Sequence, residues 1–229
     1  MTDLRLGVIG TGMMGCEHIR NVNALPGATV TAVSDPNEVP RGWARDNLGD
    51  RADEVAFFRD HRDLLSSGAV DAVIVASPNH THAALLADVL STDLPVLVEK
   101  PMCTTVEDCL TVVSDADRRS AITWVGLEYR YMAPIAALLD VVRSGDLGDL
   151  RMFSIREHRF PFLVKVDNWN RFSRNTGGTL VEKCCHFFDL MHLAAGAHPV
   201  RVMARGGQDV NHLDELYEID GRREVPDIL

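Results

Sequence analysis

A doubly wound α/β domain with a parallel sheet, followed by a shorter α+β domain with a mostly antiparallel sheet, is the architecture this 229-residue sequence predicts. Three observations predict it. Through residue 126, short runs rich in Val and Ile alternate with longer stretches of helical periodicity, the pattern of successive βαβ units. A Gly-x-Gly-x-x-Gly stretch follows the first apolar run directly. After Gly126 the alternation stops, which sets a domain boundary near Gly126–Pro134 and divides the chain into residues 1–126 and 127–229.

The strand-like runs of the first part are Leu4–Ile9, Ala28–Ser34, Val70–Ala76, Leu94–Glu99 and Ile122–Gly126. They are apolar almost throughout, as strands covered on both faces must be. Helices are expected near 13–25, 37–48, 60–67, 80–91 and 104–119. In the second part a helix is expected over 133–144, stopped at Ser144-Gly145. Residues 150–159 read as a strand with one face open to solvent or ligand. A polar loop with Pro161, Asn168, Asn170, Asn175 and Gly177-Gly178 follows, then one long helix over Thr179–Ala195 closed by Gly196, then a strand at Val200–Ala204. Two strands are too few to cover that helix, so Phe187, Leu190 and Leu193 are expected to be poorly buried. His212–Leu229 reads as charged and without a closing element, and the second domain is expected to be an incomplete version of a larger one.

The glycines Gly10, Gly12 and Gly15 have separate reasons. The first permits the tight turn, the second lets backbone approach a pyrophosphate, and the third lets helix pack on strand. With Met13 and Met14 they open a helix whose N–H groups and dipole attract phosphate. Asp35 ends the second strand, twenty positions after Gly15, where an acceptor for a ribose 2′-hydroxyl belongs. The same carboxylate repels a 2′-phosphate, so NAD is expected over NADP, although Arg41 and Arg45 keep NADP open. A plain glycine turn is the bland alternative, weakened by the strand before, the helix after and the spaced Asp35.

Composition restricts the rest. A formal net charge of −10 lacks the basic footprint of a nucleic-acid binder. No apolar run approaches the roughly 20 residues of a membrane span, and no signal-peptide pattern precedes the first strand. Five cysteines form no CxxC pair, consistent with reduced thiols in a cytoplasmic protein.

Three further stretches carry a family resemblance. Ser77-Pro78-Asn79-His80-Thr81-His82 follows the strand expected at Val70–Ala76, Glu99-Lys100-Pro101 ends the next, and Gly177-Gly178 precedes Glu182, His186 and Asp189. Together with the glycine loop they resemble the Gfo/Idh/MocA oxidoreductases across nearly the whole chain. The resemblance implies hydride transfer from a secondary alcohol of a sugar or polyol to a nicotinamide. It implies Lys100 as the active-site lysine, His186 as the proton-transfer residue and Glu182 in place of the usual Asp. It further implies a cofactor contact surface of Ser77, Pro78, Asn79, His82, Glu99 and Lys100, and homo-oligomers of the full-length form. Glu182 departs from the family pattern by one methylene, and Lys183 adds a charge that the pattern does not demand.

The chemistry suits these residue types. Neutral histidine accepts a hydroxyl proton near pH 7, and an ammonium stabilises the developing alkoxide. On one helix Glu182 and His186, four apart, face the same side. Asp189 reads as structural, pairing within its helix. His80 and His82 suggest zinc only weakly, because no third ligand accompanies them. Tyr129-Arg130-Tyr131 and Trp169-Asn170-Arg171 are open between a substrate pocket and an interdomain seam. Two other functions share the features: a glycoside hydrolase that uses NAD transiently, and a non-catalytic NAD-binding sensor.

Overall fold

The computed structural model describes residues 3–158 and 160–227. Arg159 at the end of the expected strand over 150–159, and Ile228-Leu229 at the C-terminus, lie outside the described residues. The chain forms two compact units, residues 1–126 and 127–229.

In the first unit the elements run β1 (Leu4–Ile9), α1 (Met13–Ala24), β2 (Ala28–Ser34), α2 (Glu38–Leu48), β3 (Ala56–Phe58), α3 (His61–Ser66), β4 (Ala72–Val75), α4 (His82–Leu90), β5 (Val96–Glu99), α5 (Val106–Asp117) and β6 (Thr123–Gly126). The six strands lie in the order β3-β2-β1-β4-β5-β6, and every pairing is parallel. The order reverses between β1 and β4, which makes the crevice outside their carboxyl ends the ligand position of a doubly wound sheet. Ile9 pairs with Ser34 on one side and Val75 on the other, so these strand ends are level.

Side-chain alternation along the strands builds two cores. Ile9, Val73, Val75, Val96 and Val98 pack with Leu64 of α3, Leu86 and Val89 of α4, and Val112 of α5. Val8, Val30, Val33 and Ile74 pack with Ile19 and Val22 of α1 and with Ala44 and Leu48 of α2. Each fully buried Val, Leu or Ile contributes about 1.5–3 kcal/mol. Helix entry is fixed locally as well: Asp60 accepts from the N–H of Arg62 at 2.8 Å, and Thr105 from that of Asp108 at 3.1 Å. The short strand β3 had no counterpart in the sequence reading.

The second unit contains α6 (Ala133–Ser144), α7 (Ser173–Thr176), α8 (Thr179–Glu182), α9 (Cys185–Ala195), β7 (Tyr217–Ile219) and β8 (Arg222–Glu224). Gly145 and Gly196, at φ 79° and 60°, close α6 and α9 in the left-handed conformation that lets a helix end without a Cβ clash.

Several expectations for this unit are corrected. Residues 150–158 and 200–204 form no strand, because a strand exists only as a hydrogen-bonded ladder and no described segment pairs with them. Val200 and Met203 are almost fully exposed. The expected single helix over Thr179–Ala195 is two, since Lys183 and Cys184 form a turn that interrupts the helical hydrogen bonding between α8 and α9. Leu190 is buried, and Phe187 and Leu193 are half-buried, because α9 packs on α6 and the short turn at Glu128–Tyr131. The C-terminal stretch is not featureless either. β7 and β8 pair antiparallel about Asp220-Gly221, both at positive φ (50° and 74°), as a two-residue hairpin turn requires.

Candidate active site

The glycine loop connects β1 to α1, and the three glycines meet different surroundings. Gly10 has φ 87°, and a Cβ there would lie 2.6 Å from the backbone nitrogen of Ser77. A Cβ on Gly15 would lie 2.0 Å from the carbonyl oxygen of Gly10, so the first turn of α1 closes on the loop only without one. Gly12 is different: a Cβ there meets nothing within 4 Å. The protein's own packing explains Gly10 and Gly15, whereas Gly12 leaves a space that only something outside the fold would fill. No side chain caps the N-terminus of α1 and no acidic residue stands in its first turn, which leaves its N–H groups to an anion. Met13 and Met14 are exposed beside it. These features fit a dinucleotide pyrophosphate.

Asp35 is buried, and its carboxylate ties the loop to the end of β2. One oxygen accepts from the N–H of Thr11 at 2.9 Å and the other from that of Asn37 at 2.9 Å. Arg41 donates to the Asp35 carbonyl at 2.5 Å, and Arg45 faces Asp53 at 3.4 Å while lying over the Phe57 ring. Both arginines that left NADP open are thus engaged by protein groups.

Beyond β4, the Ser77 hydroxyl donates to Thr81, whose own proton goes to the Pro78 carbonyl, each at 2.7 Å. Asn79 is buried in the single turn Asn79–Thr81. His82 is completely buried, with Nδ1 2.9 Å from the Pro101 carbonyl and Nε2 3.0 Å from that of Ser77. It spans the turn after β4 and the turn after β5. Burial, the largest influence, outweighs the carbonyls and the Glu99 charge and holds the imidazole below its ordinary pKa. Among the described residues no group of three or more His, Cys, Asp or Glu could hold a metal ion.

Lys100 follows the last residue of β5 and precedes Pro101 through a cis peptide bond. Its neighbour Glu99 is buried and meets His18 of α1, with Nε2 and Oε1 2.7 Å apart. His18 was not singled out from the sequence. Its only signal is its place in the second turn of the helix that the glycine loop opens.

In the second unit His186, near the start of α9, is almost completely buried. Tyr129 stacks on its ring with centroids 4.1 Å apart and planes 8° from parallel, and the Glu128 carboxylate lies 3.5 Å from Nε2. Lys183, the extra charge, donates to the Tyr129 hydroxyl and lies 3.3 Å from Glu157. Glu182 ends α8, so it and His186 sit on separate helices. Asp189 does not pair within its helix: it takes both arms of the Arg130 guanidinium, with Nε at 2.7 Å. Tyr129 and Arg130 therefore pack on α9, while Tyr131 is exposed. Asn170 and Arg171 are buried within the unit, Arg171 pairing with Glu215 at 2.8 Å.

Comparison with known proteins bears on the family and the fold. Residues 4–127 match the model of the Gfo/Idh/MocA oxidoreductase family with NAD-binding Rossmann fold, and residues 140–221 match its C-terminal alpha/beta domain. Inositol 2-dehydrogenase 1 of Saccharopolyspora erythraea is 37% identical over 148 residues, 64% of this chain and 43% of that protein. The rhizopine catabolism protein MocA of Rhizobium meliloti is 29% identical over 205 residues, 87% of this chain and 59% of that protein. A crystal structure of myo-inositol dehydrogenase from Lactobacillus casei, in complex with NAD(H) and myo-inositol, superimposes with a TM-score of 0.67 at 27% identity. The match covers 85% of this chain and 55% of that one, and the chain spans about half the length of the relatives it matches. With the first family model alone spanning more than half of its residues, the chain belongs to the Gfo/Idh/MocA oxidoreductase family.

Proposed function

We propose that the protein is an NAD-dependent dehydrogenase that oxidises a secondary alcohol of a polyol or sugar, with cyclic polyols of the inositol type as the first substrate class to test. The observation that carries this reading is Lys100, held at the carboxyl end of β5 in the sheet whose glycine loop leaves the Gly12 space open. NAD, when bound, supplies the hydride acceptor. The chain's own groups supply the rest.

The first turn of α1 binds the pyrophosphate through its N–H groups. Asp35 accepts from the adenosine ribose on lone pairs that Thr11 and Asn37 leave free, and repels a 2′-phosphate. Ser77, Pro78 and Asn79 line the cofactor beyond β4, with His82 beneath them fixing the backbone. Lys100 donates to the substrate hydroxyl oxygen and stabilises the alkoxide charge as hydride leaves. In the second unit the family resemblance gives His186 the proton-transfer role and Glu182 the place of the family's Asp, and Tyr129 sets the His186 ring plane. The relatives named as inositol dehydrogenases support the substrate class.

The test is a titration of the 229-residue chain with NAD and NADP by tryptophan fluorescence, followed by NADH formation from a panel of cyclic and acyclic polyols. Saturable NAD binding with turnover of at least one polyol is expected. NAD binding without turnover of any member would sink the dehydrogenase reading for this chain.

A further inference from the structure

We propose that His18 is a positioning residue of the first unit: by holding the Glu99 carboxylate it fixes an anion against Lys100, and this rests on the reading of Lys100 as the group that stabilises the alkoxide. The two partners are 81 positions apart in sequence and come from α1 and the end of β5. Their side chains are only 19% and 10% exposed. A carboxylate that buried needs partners, because burying an uncompensated charge costs several kcal/mol.

Both oxygens of Glu99 are held. His18 Nε2 lies 2.7 Å from Oε1, and because a carboxylate only accepts, Nε2 carries the proton. Oε2 accepts from the backbone N–H of Lys100 at 3.3 Å. The carboxyl plane is therefore set by α1 on one side and by the lysine's own backbone on the other. From β6 the neighbour is Gly126, where a Cβ would lie 3.6 Å from Oε1, so that side is left clear. The other ionisable groups that face Glu99 are the Lys100 ammonium and the buried His82, which feels the Glu99 charge while held by the Ser77 and Pro101 carbonyls. Burial, the largest influence, pushes the Glu99 carboxyl up. The hydrogen bond and charge of His18, with the charge of Lys100, outweigh it and keep the group an anion below its ordinary range. The helix that opens at the pyrophosphate loop thus also holds the carboxylate that accepts from the Lys100 backbone.

The chain has three lysines, Lys100, Lys165 and Lys183, so the reactivity of Lys100 can be read against two internal references. The wild-type chain, His18→Leu, His18→Gln and Glu99→Gln are acylated with a trace of acetic anhydride between pH 6 and 8, and each lysine is quantified by peptide mass spectrometry. Only the free amine reacts. Releasing the fixed carboxylate should raise the reactivity of Lys100 in His18→Leu about threefold to tenfold. Glu99→Gln, nearly isosteric, should do the same should His18→Leu fold poorly. His18→Gln restores a donor at the same reach and should return Lys100 towards wild type, with Lys165 and Lys183 unmoved throughout. Equal Lys100 reactivity in the wild type and in a folded His18→Leu, or in Glu99→Gln, overturns the proposal. Failure of the wild-type chain to bind NAD or turn over any polyol overturns the dehydrogenase reading and leaves this comparison intact.

Discussion

The ring of Tyr129 lies on the imidazole of His186, nearly parallel at 4.1 Å, and Lys183 holds the far end of Tyr129 by its hydroxyl. The stack fixes the plane of a buried histidine from outside its own helix. Tyr129→Ala should therefore lose the aromatic pair, about 0.5–1.5 kcal/mol beyond the buried area, while Tyr129→Phe keeps most of it. Chemical denaturation of the three proteins checks the order. In the catalytic reading His186→Ala should lose more turnover at neutral than at alkaline pH, where hydroxide replaces the base. A loss equal at both would assign His186 to structure.

The three glycines of the loop should separate stability from binding. Gly15→Ala places a Cβ 2.0 Å from the Gly10 oxygen and should cost about 1–3 kcal/mol of stability. A Cβ at Gly12 meets open space, so Gly12→Val should fold as well as wild type while weakening NAD binding. Thermal melts and NAD titrations on both variants test this. Wild-type NAD affinity in Gly12→Val would remove the pyrophosphate from the loop.

Asp35 should favour NAD over NADP, and Asp35→Ala should narrow the gap. Because the same carboxylate accepts from Thr11 and Asn37, the variant should also weaken NAD itself. Asp35→Asn, which keeps one acceptor oxygen, should lose less. A wild-type preference for NADP of about tenfold, some 1.4 kcal/mol, would contradict the assignment.

The hairpin should add an acid-labile component to the second unit. Burial pushes Glu215 up, but hydrogen bonds from Tyr217 and His212 and the charge of Arg171 bring it down to about 2. A carboxyl depressed in the folded state stabilises above its unfolded pKa, near 4.3, and that contribution is lost as pH falls from about 5 towards 2. Glu215→Gln should lower stability at pH 6 and flatten its decline between pH 5 and 3. Parallel pH profiles for the two proteins would contradict this origin.

The parts legible in the sequence are those whose cause is local. The five longer strands of the first unit read clearly because they are largely buried and rich in Val, Ile and Ala, whereas β3, three residues long, leaves no periodicity to read. The glycine loop and Asp35 were legible because turn, phosphate and ribose each demand a residue type at a fixed spacing. Residues 150–158 carry strand-like composition, but pairing is a property of two segments and cannot be read from one. Asp220-Gly221 was a readable hairpin signal, masked by the charged residues around it. His18 with Glu99, and Tyr129 with His186, are meetings of distant segments and became visible only in the fold.

Lys100 carries the central claim, and the most direct measurement compares Lys100→Met with wild type in NAD affinity and in turnover of a polyol substrate. NAD binding should stay within about threefold of wild type, since the proposed pyrophosphate and ribose contacts stand elsewhere, and kcat should fall by about 10²–10³, the usual loss of one electrostatic donor. Near-normal kcat in Lys100→Met would contradict that claim and return Lys100 to the role of a strand-end lysine.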